Sequence, residues 1–200
     1  MTTRPLAALL AAPLFMLTSG VAEAHVGIGD TSGFVHGFQH PISGLDHILA
    51  MVMVGLFAAQ LGGRAVWLVP AAFVAAMAAG GAFGLAGIPV PFVELGIGLS
   101  IVVLGTAIAL RLSPAVPLAM GLVGFFAIFH GYAHGAEMPE SAAGLAYGVG
   151  FMVATALLHG VGLALGLAAG AHTGKTGAIL VRSVGALAAA VGVSFIGGIL

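Results

Sequence analysis

Long apolar stretches, interrupted only by short breaks, constrain this chain more than any other feature. Of its 200 residues, 60% are hydrophobic and only 6% are charged. A soluble domain carries about 25% charged residues to keep its surface hydrated. The 5 Lys and Arg residues are also too few to form the basic surface that binds nucleic acid. The sequence therefore predicts a polytopic membrane protein, and it argues against a soluble enzyme and against nucleic-acid binding.

The N-terminus has the pattern of a secretory signal peptide. Arg4 precedes an apolar segment over 6–17, and Ala22-Glu23-Ala24 has the small residues of a cleavage site. The apolar segment is too short to span the ~30 Å hydrocarbon core of a bilayer. We therefore expect residues 1–24 to be removed, which leaves the mature N-terminus outside. An uncleaved anchor is the alternative, and it would leave the remaining topology unchanged.

The rest of the chain divides into stretches close to the ~20 residues that a membrane helix needs. Six of them cover residues 41–61, 65–87, 91–112, 115–134, 142–170 and 177–199. Because a helix satisfies its own backbone hydrogen bonds in lipid, we predict an all-α domain of six transmembrane helices over 25–200. With the N-terminus outside, the mature basic residues fall at the cytoplasmic side, as the positive-inside rule requires. This arrangement indicates a multi-pass protein of a bacterial inner membrane.

Glycines recur at four-residue spacing within several of these stretches. The three ridges are Gly80-x-x-x-Gly84, Gly144-x-x-x-Gly148 and Gly162-x-x-x-Gly166-x-x-x-Gly170. Small residues at this spacing let two membrane helices approach closely. We interpret nearly all of these glycines as packing residues.

A first histidine cluster leads into the first predicted span and begins at His36. Pro41 suits the first position of a helix, which would place His40 at the helix cap. His40 and His47 are seven residues apart and would share one helix face. Asp46 is expected either to bind a metal or to orient a ligating imidazole.

A second cluster lies at the outer end of the fourth predicted span. His130, His134 and Glu137 follow an i, i+4, i+7 pattern, which places two imidazoles and one carboxylate on a single stripe. Ionisable groups at membrane depth are costly, so they indicate a functional site. Three spans separate the two clusters, so both should lie at the same surface. We predict one shared site.

His159 lies near the middle of the fifth predicted span, among apolar residues. We expect it well below the outer cluster, as a transient metal ligand or a proton acceptor. A neutral buried histidine that donates a hydrogen bond is the alternative. The chain has no cysteine, so its metal ligands would be imidazoles and carboxylates, which suit nickel, cobalt and zinc.

The polar motifs resemble those of the HupE/UreJ family of nickel/cobalt permeases. They read His40-Pro41-x-x-Gly44-x-Asp46-His47-x-x-x-Met51 and Phe129-His130-Gly131-Tyr132-Ala133-His134-Gly135-x-Glu137. The resemblance covers nearly the whole chain. It implies uptake of Ni²⁺ or Co²⁺ as a substrate, without a permanently bound cofactor, to supply enzymes such as hydrogenase or urease. It also implies that metal recognition and translocation use His36, Asp46, His47, His130, His134 and Glu137.

Two other function classes fit parts of the pattern. A membrane haem protein would use His36 or His40 together with His130 or His134 as axial ligands, but haem ligation has no use for the carboxylates among them. An intramembrane hydrolase would pair Ser100 with His159 or use the histidines for a catalytic zinc. The sequence around Ser100, Gly98-Leu99-Ser100-Ile101, is a poor nucleophile signature. The sequence favours a carrier over an enzyme.

Overall fold

The computed structural model describes residues 33–138, 142–171 and 175–198, and over these ranges the chain contains helices and no strand. The helices are α1 (Gly33–Ser43), α2 (Leu45–Leu61), α3 (Ala65–Leu85), α4 (Val93–Ala109), α5 (Val116–Ala136), α6 (Ala142–Ala171) and α7 (Lys175–Ile196). The predicted all-α fold is therefore confirmed for this part of the chain. The predicted signal peptide over 1–24 lies outside the described residues.

Several of these helices match the length of a bilayer. Within the described ranges, Ala65–Leu85, Val116–Ala136, Gly144–Gly170 and Thr176–Ile196 are long and apolar enough to cross a membrane. The bent pair of α1 and α2 makes a fifth candidate if it is counted as one span, and α4 is a shorter apolar helix. The last five predicted stretches coincide with α3 to α7 to within a few residues. The chain is a multi-pass membrane protein.

The start of the first predicted span is wrong. Helix α1 begins at Gly33 and continues through Pro41, which therefore lies inside a helix and not at its first position. The chain then breaks at Gly44, whose backbone is extended, and α2 leaves at an angle of 82° to α1. His40 and His47 consequently lie on different helices and share no helix face.

Two local features explain why the chain bends at this point. Pro41 has no N–H to donate within α1, and the Ser43 hydroxyl donates to the His40 carbonyl at 2.7 Å, which satisfies one carbonyl of the last turn. A Cβ at Gly44 would lie 2.8 Å from the Asp46 carboxylate, so glycine leaves that side chain free to keep its position beside His47. The Gly44 carbonyl in turn accepts the hydrogen bond from Ile48 N that starts α2.

Glycines lie where the helices approach most closely. The most extensive helix contacts join α3 with α5, α4 with α7, α2 with α6 and α1 with α6. A Cβ at Gly80 would overlap the Ile128 carbonyl of α5, and one at Gly162 would overlap the Val52 carbonyl of α2. Small residues thus allow backbone-to-backbone packing, as expected in a membrane.

Two of the predicted glycine ridges are confirmed as helix contacts. Gly84 meets the backbone of α5 at Tyr132, and Gly166 meets the Ala59 side chain of α2. Among the described residues, by contrast, a Cβ added at Gly170 meets no atom within 4 Å beyond the neighbouring backbone of α6 itself. Within this part of the chain, the α6 ridge packs at Gly162 and Gly166, which face α2.

Helix α2 lies at the centre of the fold and packs against α3, α4, α6 and α7. Its first turn carries His47, and its last turn lies beside the end of α4, where Gln60 reaches the Leu112 carbonyl. The molecule therefore has two distinct ends along α2. We call them the histidine end, which holds His40, His47 and His134, and the arginine end, which holds Gln60, Arg111 and Arg182.

Candidate metal site

Three segments bring the polar motifs together at the histidine end. The last turn of α1 supplies His40, and the first turn of α2 supplies Asp46 and His47. The last two turns of α5 supply His130 and His134, followed by Glu137 at the helix C-cap. The two clusters that the sequence assigns to one shared site therefore do meet in space.

The most exposed group of candidate ligands consists of His40, His134 and Glu137. One potential ligand atom from each of these side chains lies within 4.8 Å of the other two. Metal–ligand bonds of about 2 Å would require these atoms to move closer together. Among the described residues this is the one group of three His, Asp or Glu side chains that meets this spacing. The group combines two imidazoles with one carboxylate.

The imidazole rings form a continuous series from this group into the protein. The ring centroids of His40 and His134 are 4.6 Å apart, and those of His134 and His47 are 4.5 Å apart. The ring of His47 lies 5.0 Å from that of His130. The two ends of the series differ in exposure, since Glu137 is exposed and His130 is 0% exposed, with both His134 and His47 buried between them.

Asp46 determines which nitrogen His47 presents to its neighbours. The Asp46 carboxylate lies 3.2 Å from Nδ1 of His47 and can only accept a hydrogen there. The Nε2 atom of His47 therefore carries the lone pair, and it lies 2.6 Å from Nε2 of His134. A carboxylate that orients an imidazole in this way is the usual second partner of a metal-binding histidine. Of the two predicted roles of Asp46, the geometry supports orientation.

Several buried imidazole nitrogens have no hydrogen-bond partner within the described residues. They are Nδ1 of His130, Nδ1 of His134 and both nitrogens of His159. Buried polar atoms in proteins are nearly always hydrogen-bonded, and an exception calls for an explanation. Lone pairs that are reserved for a metal ion would explain this concentration in one part of the molecule.

His159 lies beyond the ring series and is separated from it by an aromatic side chain. Its ring lies 5.0 Å from that of Phe73 and nearly perpendicular to it, and the Phe73 ring lies 5.7 Å from that of His130. His159 is 2% exposed. His159 is therefore buried and separated from the outer cluster by the Phe73 ring, and its depth in the membrane stays a prediction. The alternative of a histidine that donates to a neighbouring helix finds no acceptor in the described chain.

Two further residues are not members of the group of His40, His134 and Glu137. His36 is partly exposed on α1, one turn before His40, and is not a member of the group formed with His134 and Glu137. Glu94 is exposed in the first turn of α4. A carboxylate at this position is stabilised by the helix dipole, a structural role that requires no metal.

Sequence reasoning missed the aromatic residues that line the site. The Phe151 ring of α6 lies 4.1 Å from that of His134 and also contacts His40 and His47. An apolar residue in an apolar helix carries no signal that distinguishes it from a lipid-facing one. Only the packing of α6 against α1 and α2 reveals its position.

Comparison with known proteins agrees with the motifs. The family described as HupE / UreJ protein matches residues 13–195. The chain belongs to the HupE/UreJ family. It is 44% identical over 178 residues to the protein HupE of Rhizobium leguminosarum bv. viciae, a match that covers 89% of this chain and 91% of that relative. No solved structure matches the chain.

The two motif segments of this HupE/UreJ chain are also the segments that the fold brings together. They lie on α1, α2 and α5, and the distances above join them through His40, His47 and His134. The family assignment and the geometry therefore direct attention to the same end of the molecule.

Proposed function

We propose that this HupE/UreJ protein is a secondary carrier that takes up Ni²⁺, with Co²⁺ as a second substrate, across the bacterial inner membrane. The metal would supply enzymes such as hydrogenase or urease. The proposal includes six transmembrane spans and, after removal of residues 1–24, a mature N-terminus outside. Family membership, the apolar helices and the basic residues at the arginine end support it.

One observation carries the proposal, namely a series of candidate ligands that leads from the surface into the interior. It starts at the exposed carboxylate of Glu137 and continues through His134 and His47 to the fully buried His130. Each ring lies within 5.0 Å of the next, measured between centroids. A resident structural metal needs one closed set of ligands, whereas a transported ion needs successive ones.

The chemistry of the ligands fits a metal that must be released. Imidazoles and carboxylates bind borderline divalent ions such as Ni²⁺ and Co²⁺. Thiolates would bind more tightly, and the chain has none. Moderate affinity at several sites favours passage over retention. The ion is therefore a substrate and not a permanent cofactor.

The series suggests an order of events during uptake. His40, His134 and Glu137 would capture the ion at the histidine end, near His36. The ion would then pass to the Nε2 atom of His47.

His130 would bind the ion next, deeper in the membrane. His159 would be its last histidine contact, beyond the Phe73 ring, and would assist release toward the arginine end. Asp46 would hold the His47 ring in place throughout.

The membrane potential is sufficient to drive this uptake. A divalent cation that moves inward gains about 4.6 kcal/mol per 100 mV, which is twice the value for a single charge. This free energy corresponds to roughly a thousandfold accumulation. Uptake therefore requires no nucleotide hydrolysis and no catalytic group.

The haem alternative fits the geometry less well. Axial ligands of a haem iron lie on opposite faces of the macrocycle. The ring centroids of His40 and His134, one from each cluster, are only 4.6 Å apart, which leaves no space between the two rings for a porphyrin. Metal transport is the better interpretation of these rings.

Uptake of radioactive nickel by cells that express the protein tests the proposal. We expect accumulation above cells without the protein, competition by cobalt, and collapse when the membrane potential is dissipated. Nickel binding to the purified protein is measured in parallel. Uptake equal to that of cells without the protein, or a haem absorption spectrum of the purified protein, would refute the proposal.

A further inference from the structure

A buried serine of α4 touches the deepest histidine of the ring series. Ser100 is 0% exposed, and its hydroxyl oxygen lies 3.0 Å from Nε2 of His130. The same oxygen lies 2.6 Å from the carbonyl oxygen of Ile97, one turn earlier in α4. The only role that the sequence suggests for Ser100 is that of a weak candidate nucleophile.

The two contacts together determine the direction of both hydrogen bonds. A carbonyl oxygen can only accept, so the Ser100 hydroxyl donates its single hydrogen to Ile97. Toward His130 the hydroxyl oxygen can then only accept. The hydrogen in that bond must come from the imidazole, which places it on Nε2 of His130.

We propose that Ser100 is a positioning residue that holds His130 as its Nε2–H tautomer and so makes Nδ1 the metal-binding atom. The Nδ1 atom is buried and has no hydrogen-bond partner within the described residues. A neutral imidazole with a hydrogen on one nitrogen has its lone pair on the other. This inference rests on the proposed function, because it assigns an atom of that site.

The arrangement at His130 is the reverse of that at His47. Asp46 accepts from Nδ1 of His47, which leaves Nε2 as the binding atom. Ser100 accepts from Nε2 of His130, which leaves Nδ1. The two imidazoles at the centre of the series therefore present different nitrogens, and each tautomer is fixed by a residue that does not itself bind the ion. A neutral hydroxyl avoids placing a carboxylate beside His130, which is 0% exposed, whereas the Asp46 side chain is 30% exposed.

The tautomer can be measured without any metal. Nitrogen-15 NMR of the purified, metal-free protein with labelled histidines distinguishes a protonated from an unprotonated ring nitrogen. The His130 signals are assigned by their loss in His130→Gln. We expect a single Nε2–H tautomer in the wild-type protein. A wild-type spectrum with the hydrogen on Nδ1 of His130 would overturn the proposal, whatever the variants do.

Variants then test whether Ser100 is responsible. In Ser100→Ala we expect a mixture of both His130 tautomers and a 10- to 100-fold loss of nickel affinity, as is typical when the partner of a ligating histidine is removed. Ser100→Thr keeps the hydroxyl and should restore the wild-type tautomer. The matched control is Thr155→Val, which removes another buried hydroxyl whose partner is the Met77 sulfur and not a histidine.

The outcomes separate this inference from the proposed function. An unchanged His130 tautomer in a folded Ser100→Ala protein would overturn the role of Ser100, as would an altered tautomer with unchanged nickel affinity. Equal effects of Thr155→Val and Ser100→Ala would show a general packing defect and would also overturn it. Wild-type protein with the Nε2–H tautomer that binds no nickel would instead refute the proposed site.

Discussion

The two ends of the molecule differ in whether their polar side chains have hydrogen-bond partners. At the arginine end, Gln60 donates to the Leu112 carbonyl at 2.8 Å, and Arg182 donates from Nε to the Ala109 carbonyl at 2.8 Å. These bonds satisfy carbonyls at and beyond the C-terminus of α4. At the histidine end, Nδ1 atoms of His130 and His134 are buried within the described chain without any such partner.

The difference separates side chains that complete the fold from side chains that serve a ligand. The last carbonyls of a helix have no partner within the helix, so the donors at the arginine end remove a cost of the fold itself. A buried polar atom without a partner costs about 1–3 kcal/mol. At the histidine end, several buried nitrogens carry this cost at once. Natural proteins tolerate such a loss of stability at functional sites.

The largest effect should come from removing a ring of the central pair. His47→Ala and His130→Ala should each abolish nickel uptake. Each change removes one ligand of the series, and the described residues offer no second series of histidines that could replace it. Uptake and membrane expression are measured together in cells. Gln60→Ala, at the arginine end, is the control and should transport normally. Normal uptake by a histidine variant would remove that residue from the site.

An intermediate effect is expected at His159, beyond the Phe73 ring. His159→Ala should slow uptake strongly but leave nickel binding to the purified protein close to that of the wild type, because the capture group is intact. His159→Gln keeps a polar group that cannot titrate. Partial activity of this variant would indicate a ligand, and complete loss would indicate a proton acceptor. Unchanged uptake in His159→Ala would assign His159 to the core.

The smallest effect should come from the arginine end. Gln60→Ala removes the side chain that donates to carbonyls at the end of α4 and should lower the free energy of unfolding by about 1 kcal/mol, the net value of an ordinary hydrogen bond. Unfolding of the purified protein is followed by circular dichroism. Gln39→Ala, an exposed glutamine of α1, is the matched control and should have no effect. A Gln60→Ala protein that unfolds normally but loses uptake would contradict the contrast between the two ends.

The sequence predicted the helices from α3 onward because each is an apolar stretch bounded by glycine, proline or charge. It also predicted that the two motifs meet, since the number of intervening spans determines their side of the membrane. It could not predict α1. Pro41 favours a first helical position in isolation, and the packing of α1 against α6 overrides that local preference.

The tautomer of each histidine in the site depends on its hydrogen-bond partners, and residue spacing in the sequence does not reveal all of them. Asp46 and His47 are neighbours in sequence, so their bond was within reach of sequence reasoning. Ser100 lies 30 residues from His130, and a serine in an apolar helix is usually a packing residue or a backbone-bonded one. Its role depends on which face of α4 meets α5, which only the structure provides.

The bend between α1 and α2 has a mechanical consequence. Both α1 and α2 pack against the same continuous helix, since Gly150 of α6 meets Phe34 of α1 and Gly162 of α6 meets Val52 of α2. The 30 residues of α6 extend about 45 Å at 1.5 Å per residue, enough to contact both helices. The angle between α1 and α2 is therefore held by the packing of both helices against α6, and Gly44 does not act as a free hinge. The same packing fixes the distance from His40 to His47.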